Sequence, residues 1–141
     1  MVYLYRHKET LEGCITNTKV KVSMFIPTIK KMKLTGEVIS RKALFVRIIF
    51  WLIAKGKLRI YYVLDTNEKI IHTSYVIPSC FKFSFMTGND IMIGPCHTDE
   101  KYRGQGIYPS VLQYICKERK MHSDTIYILV HENNEPSIRG N

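Results

Sequence analysis

Several short apolar stretches of this chain have the composition of β-strands, and along one of them hydrophobic and polar residues alternate as in a half-buried strand. The clearest stretch is Lys19–Ile26, where every second residue from Val20 onward is apolar and Pro27 follows. Two further stretches flank the turn Thr66–Lys69 and predict a hairpin. The predicted strands are Val2–Tyr5, Lys19–Ile26, Leu58–Asp65, Ile70–Ile77, Ile91–Thr98 and Thr125–Val130.

Two other stretches predict helices. The first is Arg41–Lys55, between Ser40 as a capping residue and Gly56 as a stop. It is apolar on nearly every side, so we expect deep packing against a sheet, or else a part in a groove or subunit interface. The second covers residues 107–118 and is apolar on one face. This order of elements predicts an α/β layer sandwich with a mixed sheet.

Composition predicts one globular domain spanning residues 1–141, since 45% of the residues are hydrophobic and 23% are charged. The net charge of +9 favours a polyanion, either nucleic acid or a phosphorylated cofactor. The four cysteines lack the close spacing of a zinc site and follow no secretory leader, which predicts reduced thiols, no metal and a cytoplasmic location. The apolar run Ala43–Ala54 is too short to cross a bilayer, so we predict no membrane partner.

The stretch Tyr102–Tyr108 carries the clearest chemical signal. Gly104 and Gly106 allow a tight bend whose backbone N–H groups are unobstructed, at the point where a helix begins with unsatisfied donors. The helix dipole, Lys101 and Arg103 add positive charge there. The bend therefore predicts a phosphate-binding site.

This loop resembles motif A of the GNAT acyltransferases, which reads Arg or Gln, two variable residues, Gly, one variable residue, and Gly or Ala. The matching positions are Arg103, Gly104, Gln105, Gly106, Ile107 and Tyr108. The resemblance implies that backbone amides of the loop bind the pyrophosphate of acetyl-coenzyme A. Tyr108 departs from the family pattern and crowds that site only if its side chain points toward the phosphates.

Two flanking segments extend the resemblance. Gly94-Pro95 predicts a break in its strand, since proline cannot donate to a β-ladder. In the family the corresponding strand opens away from the next one, and the pantetheine arm pairs with its backbone, which implies cofactor contacts at Cys96, His97 and Thr98. Asn134 and Ser137 resemble the GNAT pattern Asn, two residues, Ala or Ser, which opens a helix beside the cofactor.

The resemblance implies a GNAT-like three-layer sandwich with a mixed, mostly antiparallel central sheet. The family's last strands have no sequence left to form them, so we expect an unfinished sheet and self-association as a homo-oligomer. Asn141 stands where the family often has a tyrosine that protonates the leaving thiolate, which predicts weak turnover.

The implied reaction is transfer of an acetyl group from acetyl-coenzyme A to a primary amine of a small molecule, with an amino sugar as one candidate acceptor. His97 and then His131 are the candidate general bases, because imidazole titrates in the useful range. Two alternatives stay open. One is a catalytically silent module that binds acyl-coenzyme A. The other is a basic nucleic-acid-binding domain, which rests on charge and tyrosine content and has no recognisable motif.

Overall fold

The described part of the chain forms six strands and two α-helices. The computed structural model describes residues 2–7, 20–79, 84–123 and 125–131, with residues 2–7, 130 and 131 described by backbone alone. A short 3₁₀ turn, Glu100–Tyr102, precedes the second helix. The elements are β1 (Val2–His7), β2 (Val22–Phe25), α1 (Arg41–Ile53), β3 (Arg59–Leu64), β4 (Ile70–Pro78), β5 (Ile91–Thr98), α2 (Ile107–Arg119) and β6 (Ile126–His131).

The strands lie in a single sheet in the order β1-β6-β5-β4-β3-β2. All neighbouring pairs are antiparallel except β5 and β6, which run parallel. Strands β3 and β4 form the predicted hairpin. Asp65 closes its turn, since Oδ1 accepts hydrogen bonds from the N–H groups of Asn67 and Lys69 at 2.8 and 2.9 Å. The expected mixed, mostly antiparallel sheet is confirmed.

A helix covers each face of this sheet. Neighbouring residues on a strand point to opposite faces, and accordingly Val76 and Ile77 of β4 belong to different cores. Val76 packs in the core that α2 covers, whereas Ile77 packs in the core beneath α1. The three-layer sandwich expected from the sequence is therefore confirmed.

Helix α1 begins as predicted but is not packed as predicted. The Ser40 side chain caps its first turn, and Gly56, with a φ of 78°, follows its end. Its one buried residue is Arg47, whereas Phe45 and Leu52 are 63% and 61% exposed. The expectation of deep burial is therefore wrong. Helix α1 contacts the sheet through a narrow side around Arg47 and leaves an apolar outer side uncovered.

Strand β1 lies at the edge where the sequence left the sheet unfinished. Its backbone pairs antiparallel with β6, from Val2 opposite His131 to His7 opposite Ile126. The expectation of an open sheet edge beside β6 is therefore wrong for the part of the chain that the structure describes, because β1 pairs with that edge.

Candidate active site

Strands β5 and β6 pair only near their beginnings. Their register runs from Ile91 opposite Ile126 to Ile93 opposite Ile128 and goes no further. Gly94 follows with a φ of 140°, and a Cβ at this position would lie 2.6 Å from the Cβ of Leu129. Only glycine fits such a close approach in that conformation. The expected splay is present, and from Gly94 onward the edge of β5 that faces β6 has no strand partner within the described sheet.

The loop after β5 presents backbone donors at the start of α2. Asp99 caps the 3₁₀ turn, and the chain then bends through Gly104 and Gly106, whose φ angles of 77° and 76° are both left-handed. Gly106 is the N-cap of α2 and supplies no side-chain acceptor. Among the described residues, none is recorded as an acceptor for the N–H groups of residues 104–107, and the first turn of α2 has no acidic residue. These N–H groups are therefore able to bind an anion.

Side chains hold this loop against the end of β5. Arg103 donates from Nε to the Thr98 carbonyl oxygen at 3.1 Å, and its guanidinium lies 3.8 Å from the Glu100 carboxylate. Gln105 donates from Nε2 to the carbonyl oxygen of Lys101 at 3.3 Å. Because Arg103 remains 57% exposed, it adds positive charge beside the loop as well as fixing it.

Tyr108 does not crowd the loop. Its side chain packs against the core that α2 covers, with its ring centroid 6.2 Å from that of His72. Ile107 is buried in the same core. The two side chains lie on the inner side of α2, so the departure from the family motif at Tyr108 leaves the backbone donors accessible.

A buried polar cluster lies close to this ring, and it was missed from the sequence. The two ring nitrogens of His72 each lie 2.7 Å from a hydroxyl, Nδ1 from Thr98 Oγ1 and Nε2 from Ser74 Oγ. Burial, and secondarily the nearby His97, lowers the pKa of His72 to about 4, so the ring is neutral at pH 7. Burial also raises the pKa of Cys96 to about 11, against the opposing effect of a hydrogen bond with Ser74, so this residue is a thiol. The only signal in the sequence was a histidine on a buried strand, which is more often structural.

The three residues of β5 assigned to the cofactor divide between the two faces of the sheet. Cys96 and Thr98 lie opposite Ser74 and His72 of β4, on the side of α2. His97 lies between them, is exposed, and points to the α1 side. The structure therefore brings His97, Cys96 and Thr98 to the splay, with only His97 facing the other layer.

On the α1 side, a cavity of about 730 Å³ lies between the segment 36–40, α1, β4 and β5. Apolar side chains such as Val38, Val46 and Pro95 form much of its lining. Its titratable lining residues are Glu37, Lys42, Arg47, Lys69, His72, Tyr75, His97 and Asp99.

Most of these charges are already paired. Arg47 donates two hydrogen bonds to the Glu37 carboxylate at 2.8 and 2.6 Å, and donates from Nε to the Tyr75 hydroxyl at 2.9 Å. Burial raises the pKa of Glu37, but hydrogen bonds from Arg47 and the Leu34 N–H outweigh it and hold this pKa below its usual value. The pair is thus charged and internally satisfied.

Three predicted site residues lie at or beyond the end of the described chain. His131 ends β6, where its backbone pairs with Val2, and its role as a general base stays a prediction. Asn134 and Ser137 lie outside the described residues, so their proposed contact with the cofactor stays a prediction. The described site therefore consists of the splay, the glycine loop and the cavity beside His97.

The fold of this chain is similar to that of proteins of known structure. No family model and no curated protein sequence matches the chain. Solved structures do match it. Glucosamine-6-phosphate N-acetyltransferase from Arabidopsis thaliana aligns at 16% identity with a TM-score of 0.51, covering 84% of this chain and 88% of that one.

Two further structures agree. A predicted acetyltransferase from Clostridium acetobutylicum, solved with acetyl-CoA, aligns at 17% identity and a TM-score of 0.54, covering 84% of this chain and 87% of that one. An acetyltransferase from Trypanosoma brucei aligns at 11% identity and a TM-score of 0.52, covering 84% and 89%. The chain therefore has the fold of the GNAT acetyltransferases. At these identities the likeness shows the fold and no more.

Proposed function

We propose that this protein is an N-acetyltransferase that moves an acetyl group from acetyl-coenzyme A to the primary amine of a small molecule. One observation carries the proposal. The unpartnered edge of β5 and the backbone donors of residues 104–107, for which the described residues supply no acceptor, follow one another along the chain, and Arg103 links them through the Thr98 carbonyl. A long ligand with phosphates at one end and an amide-containing arm at the other fits this arrangement.

Each part of the site has a task in this reaction. The loop amides hold the pyrophosphate, while Arg103 adds charge. The edge of β5 from Cys96 to Thr98 aligns the pantetheine arm and directs a backbone N–H at the thioester carbonyl. Acetyl-coenzyme A supplies the activated acyl group. The thiol of Cys96 stays protonated, so it does not compete as a nucleophile.

His97 is the proposed proton acceptor for the amine. It is exposed, lines the cavity and lies on the strand that the thioester would follow. Replacing it with alanine should lower kcat by about 10²–10⁴-fold without changing the affinity for coenzyme A. His122→Ala is the matched control, because His122 is also exposed but lies beyond α2. Equal effects of the two substitutions would remove His97 from this role, and His131 is then the next residue to replace.

The charges that line the cavity limit which amines can serve as the acetyl acceptor. Its two carboxylates are paired, Glu37 with Arg47 and Asp99 with Lys69 at 3.4 Å, so none of the described lining residues offers an unpaired negative charge. We therefore expect polyamines to be poor acceptors. An amino sugar remains a candidate, supported by the loop sequence and by the similarity to the Arabidopsis glucosamine-6-phosphate N-acetyltransferase. A cytoplasmic location suits the reaction and the free thiols of Cys96 and Cys116.

Binding and turnover are tested separately. Calorimetry should show at least about tenfold tighter binding of coenzyme A than of pantetheine, because only the former carries the pyrophosphate. Gly104→Ala and Gly36→Ala are a matched pair, since both glycines have a φ of +77° and neither has an atom within 4 Å of the added Cβ. Only Gly104→Ala should weaken coenzyme A binding. Equal affinity for coenzyme A and pantetheine would eliminate the phosphate site.

Thiol release from acetyl-coenzyme A is then measured against glucosamine, glucosamine 6-phosphate, phenethylamine and spermidine. Acetyl transfer to at least one of the first three, with spermidine the poorest acceptor, is the expected result. Tight binding without turnover of any amine would instead identify the silent binding module. Retention on DNA that competes with coenzyme A would favour the nucleic-acid alternative.

A further inference from the structure

The outer side of α1 exposes large apolar side chains in a row. Phe45, Ile49 and Leu52 are spaced by four and three residues, which places them on one face of the helix. Their exposed fractions are 63%, 36% and 61%. A surface helix normally turns a polar face to solvent. We call these three residues the outer stripe of α1, and a contiguous exposed apolar patch of this kind marks a contact site.

The segment of the chain that carries the outer stripe is strongly positive. Residues 20–64 contain ten Lys and Arg residues and a single acidic residue, Glu37. That carboxylate is 7% exposed and already bound to Arg47, so it does not offset the charge at the surface. Arg41 and Lys42 precede the stripe on α1, and Lys55 follows the helix. The excess of positive charge in the whole chain thus originates in this segment.

We propose that the outer stripe of α1, with Arg41 and Lys42 beside it on the same helix face, binds the surface of an anionic membrane. Apolar side chains that project among lysines and arginines enter the boundary between headgroups and acyl chains, while the cations remain near the lipid phosphates. No helix in the described residues has the length and apolar character needed to cross a bilayer. The proposed contact is thus between one face of α1 and the membrane surface, and it replaces the expectation from the sequence that the protein has no membrane partner.

The positive charge and apolar character of this helix face argue against two other binding partners, a second copy of the chain and nucleic acid. A second copy docked on the same face would place two positive surfaces together, which is unfavourable. Nucleic acid matches the charge but offers little that would bury Phe45, Ile49 and Leu52 away from water. An anionic lipid surface satisfies the charge and the apolar groups at once. The proposal is independent of acetyl transfer.

Vesicle sedimentation tests it with the full chain. Binding to vesicles of 70% phosphatidylcholine and 30% phosphatidylglycerol should be at least about tenfold stronger than to pure phosphatidylcholine. Phe45→Ala combined with Leu52→Ala should weaken that binding about tenfold or more. Met121→Ala is the matched control, since Met121 is an 85% exposed apolar residue beyond the end of α2. All these side chains are exposed, so thermal unfolding should change little.

Several outcomes would overturn the proposal. Equal binding to the two kinds of vesicle would show that anionic lipid is not recognised. Full binding by the Phe45→Ala and Leu52→Ala double variant would show that the apolar side chains of the outer stripe do not contribute. A dimer in sedimentation that the double variant dissociates would assign the outer stripe to a second copy. Duplex DNA that binds the wild type and the double variant equally, with no binding to vesicles, would assign the charge to nucleic acid.

Discussion

Gly94→Ala tests the geometry that opens the sheet. The residue has a φ of +140°, and the added Cβ would lie 2.6 Å from the Cβ of Leu129 on the neighbouring strand. Holding a non-glycine residue in such a conformation costs about 1–3 kcal/mol. The close approach adds overpacking, which costs about 1–3 kcal/mol because backbone and strand must shift. We therefore expect a loss of about 4 kcal/mol in the free energy of unfolding.

Thermal unfolding measures this loss. The entropy of unfolding of a chain of 141 residues is about 0.3 kcal/mol/K, so the melting temperature should fall by roughly 13 °C. Gly104→Ala is the control, because its φ is +77° and no atom lies within 4 Å of the added Cβ. It carries backbone strain alone, about 1 kcal/mol, and should lower the melting temperature by roughly 3 °C.

A double-mutant cycle separates the cost of the steric overlap with Leu129 from the cost of the backbone conformation at residue 94. Leu129→Gly removes the Cβ that the alanine would meet, so Gly94→Ala should cost about 2 kcal/mol less in that background. Additive effects of the two substitutions would refute the collision. A melting temperature that falls no further for Gly94→Ala than for Gly104→Ala would refute the whole reasoning, and the splay would then need another cause.

Three further predictions concern charge. The folded-state pKa of His72, about 4, lies below its ordinary 6.5. Its contribution to stability is therefore present above pH 6.5 and is lost as the pH falls toward 4. From pH 7 to pH 5 the wild type should lose about 2 kcal/mol more than His72→Gln in urea unfolding, and parallel pH profiles would contradict this. Glu37→Gln should cost about 3–5 kcal/mol, because buried Arg47 loses its counter-charge; exposed Glu68→Gln should cost almost nothing in the same assay. Arg103→Gln should weaken coenzyme A binding at low salt, and calorimetry at rising NaCl should show the difference shrink; a loss independent of salt would mean that this arginine acts only by holding the loop.

The elements predicted best from the sequence are those whose signals are local. The alternation around β2, the turn between β3 and β4, the cap at Ser40 and the glycine bend before α2 each depend on a few adjacent residues. The motif at Arg103–Tyr108 was local in the same way. Its one doubtful position, Tyr108, was resolved by packing, since the side chain turns inward toward His72.

Features that depend on the packing of distant segments were not predictable in this way. The hydrophobic pattern of α1 indicated burial on every side, yet the residue that packs most deeply is Arg47. It does so because Glu37, ten residues earlier, and Tyr75, on β4, supply its partners. A buried guanidinium needs all of these partners at once, and no periodicity in the sequence encodes their meeting.

The pairing of β1 with β6 is the extreme case, because the partners lie at opposite ends of the described chain. Beyond Ile128 the parallel pairing with β5 has ended, so Leu129, Val130 and His131 pair only with β1. An unpaired backbone there would favour closing the gap onto β5. Since β1 holds β6 through the hydrogen-bonding groups on its far edge, β6 can stay apart from β5 even though its groups that face β5 have no strand partner beyond Ile128 within the described sheet. The splay that the proposed cofactor site requires is thus maintained by a strand from the start of the chain as well as by Gly94.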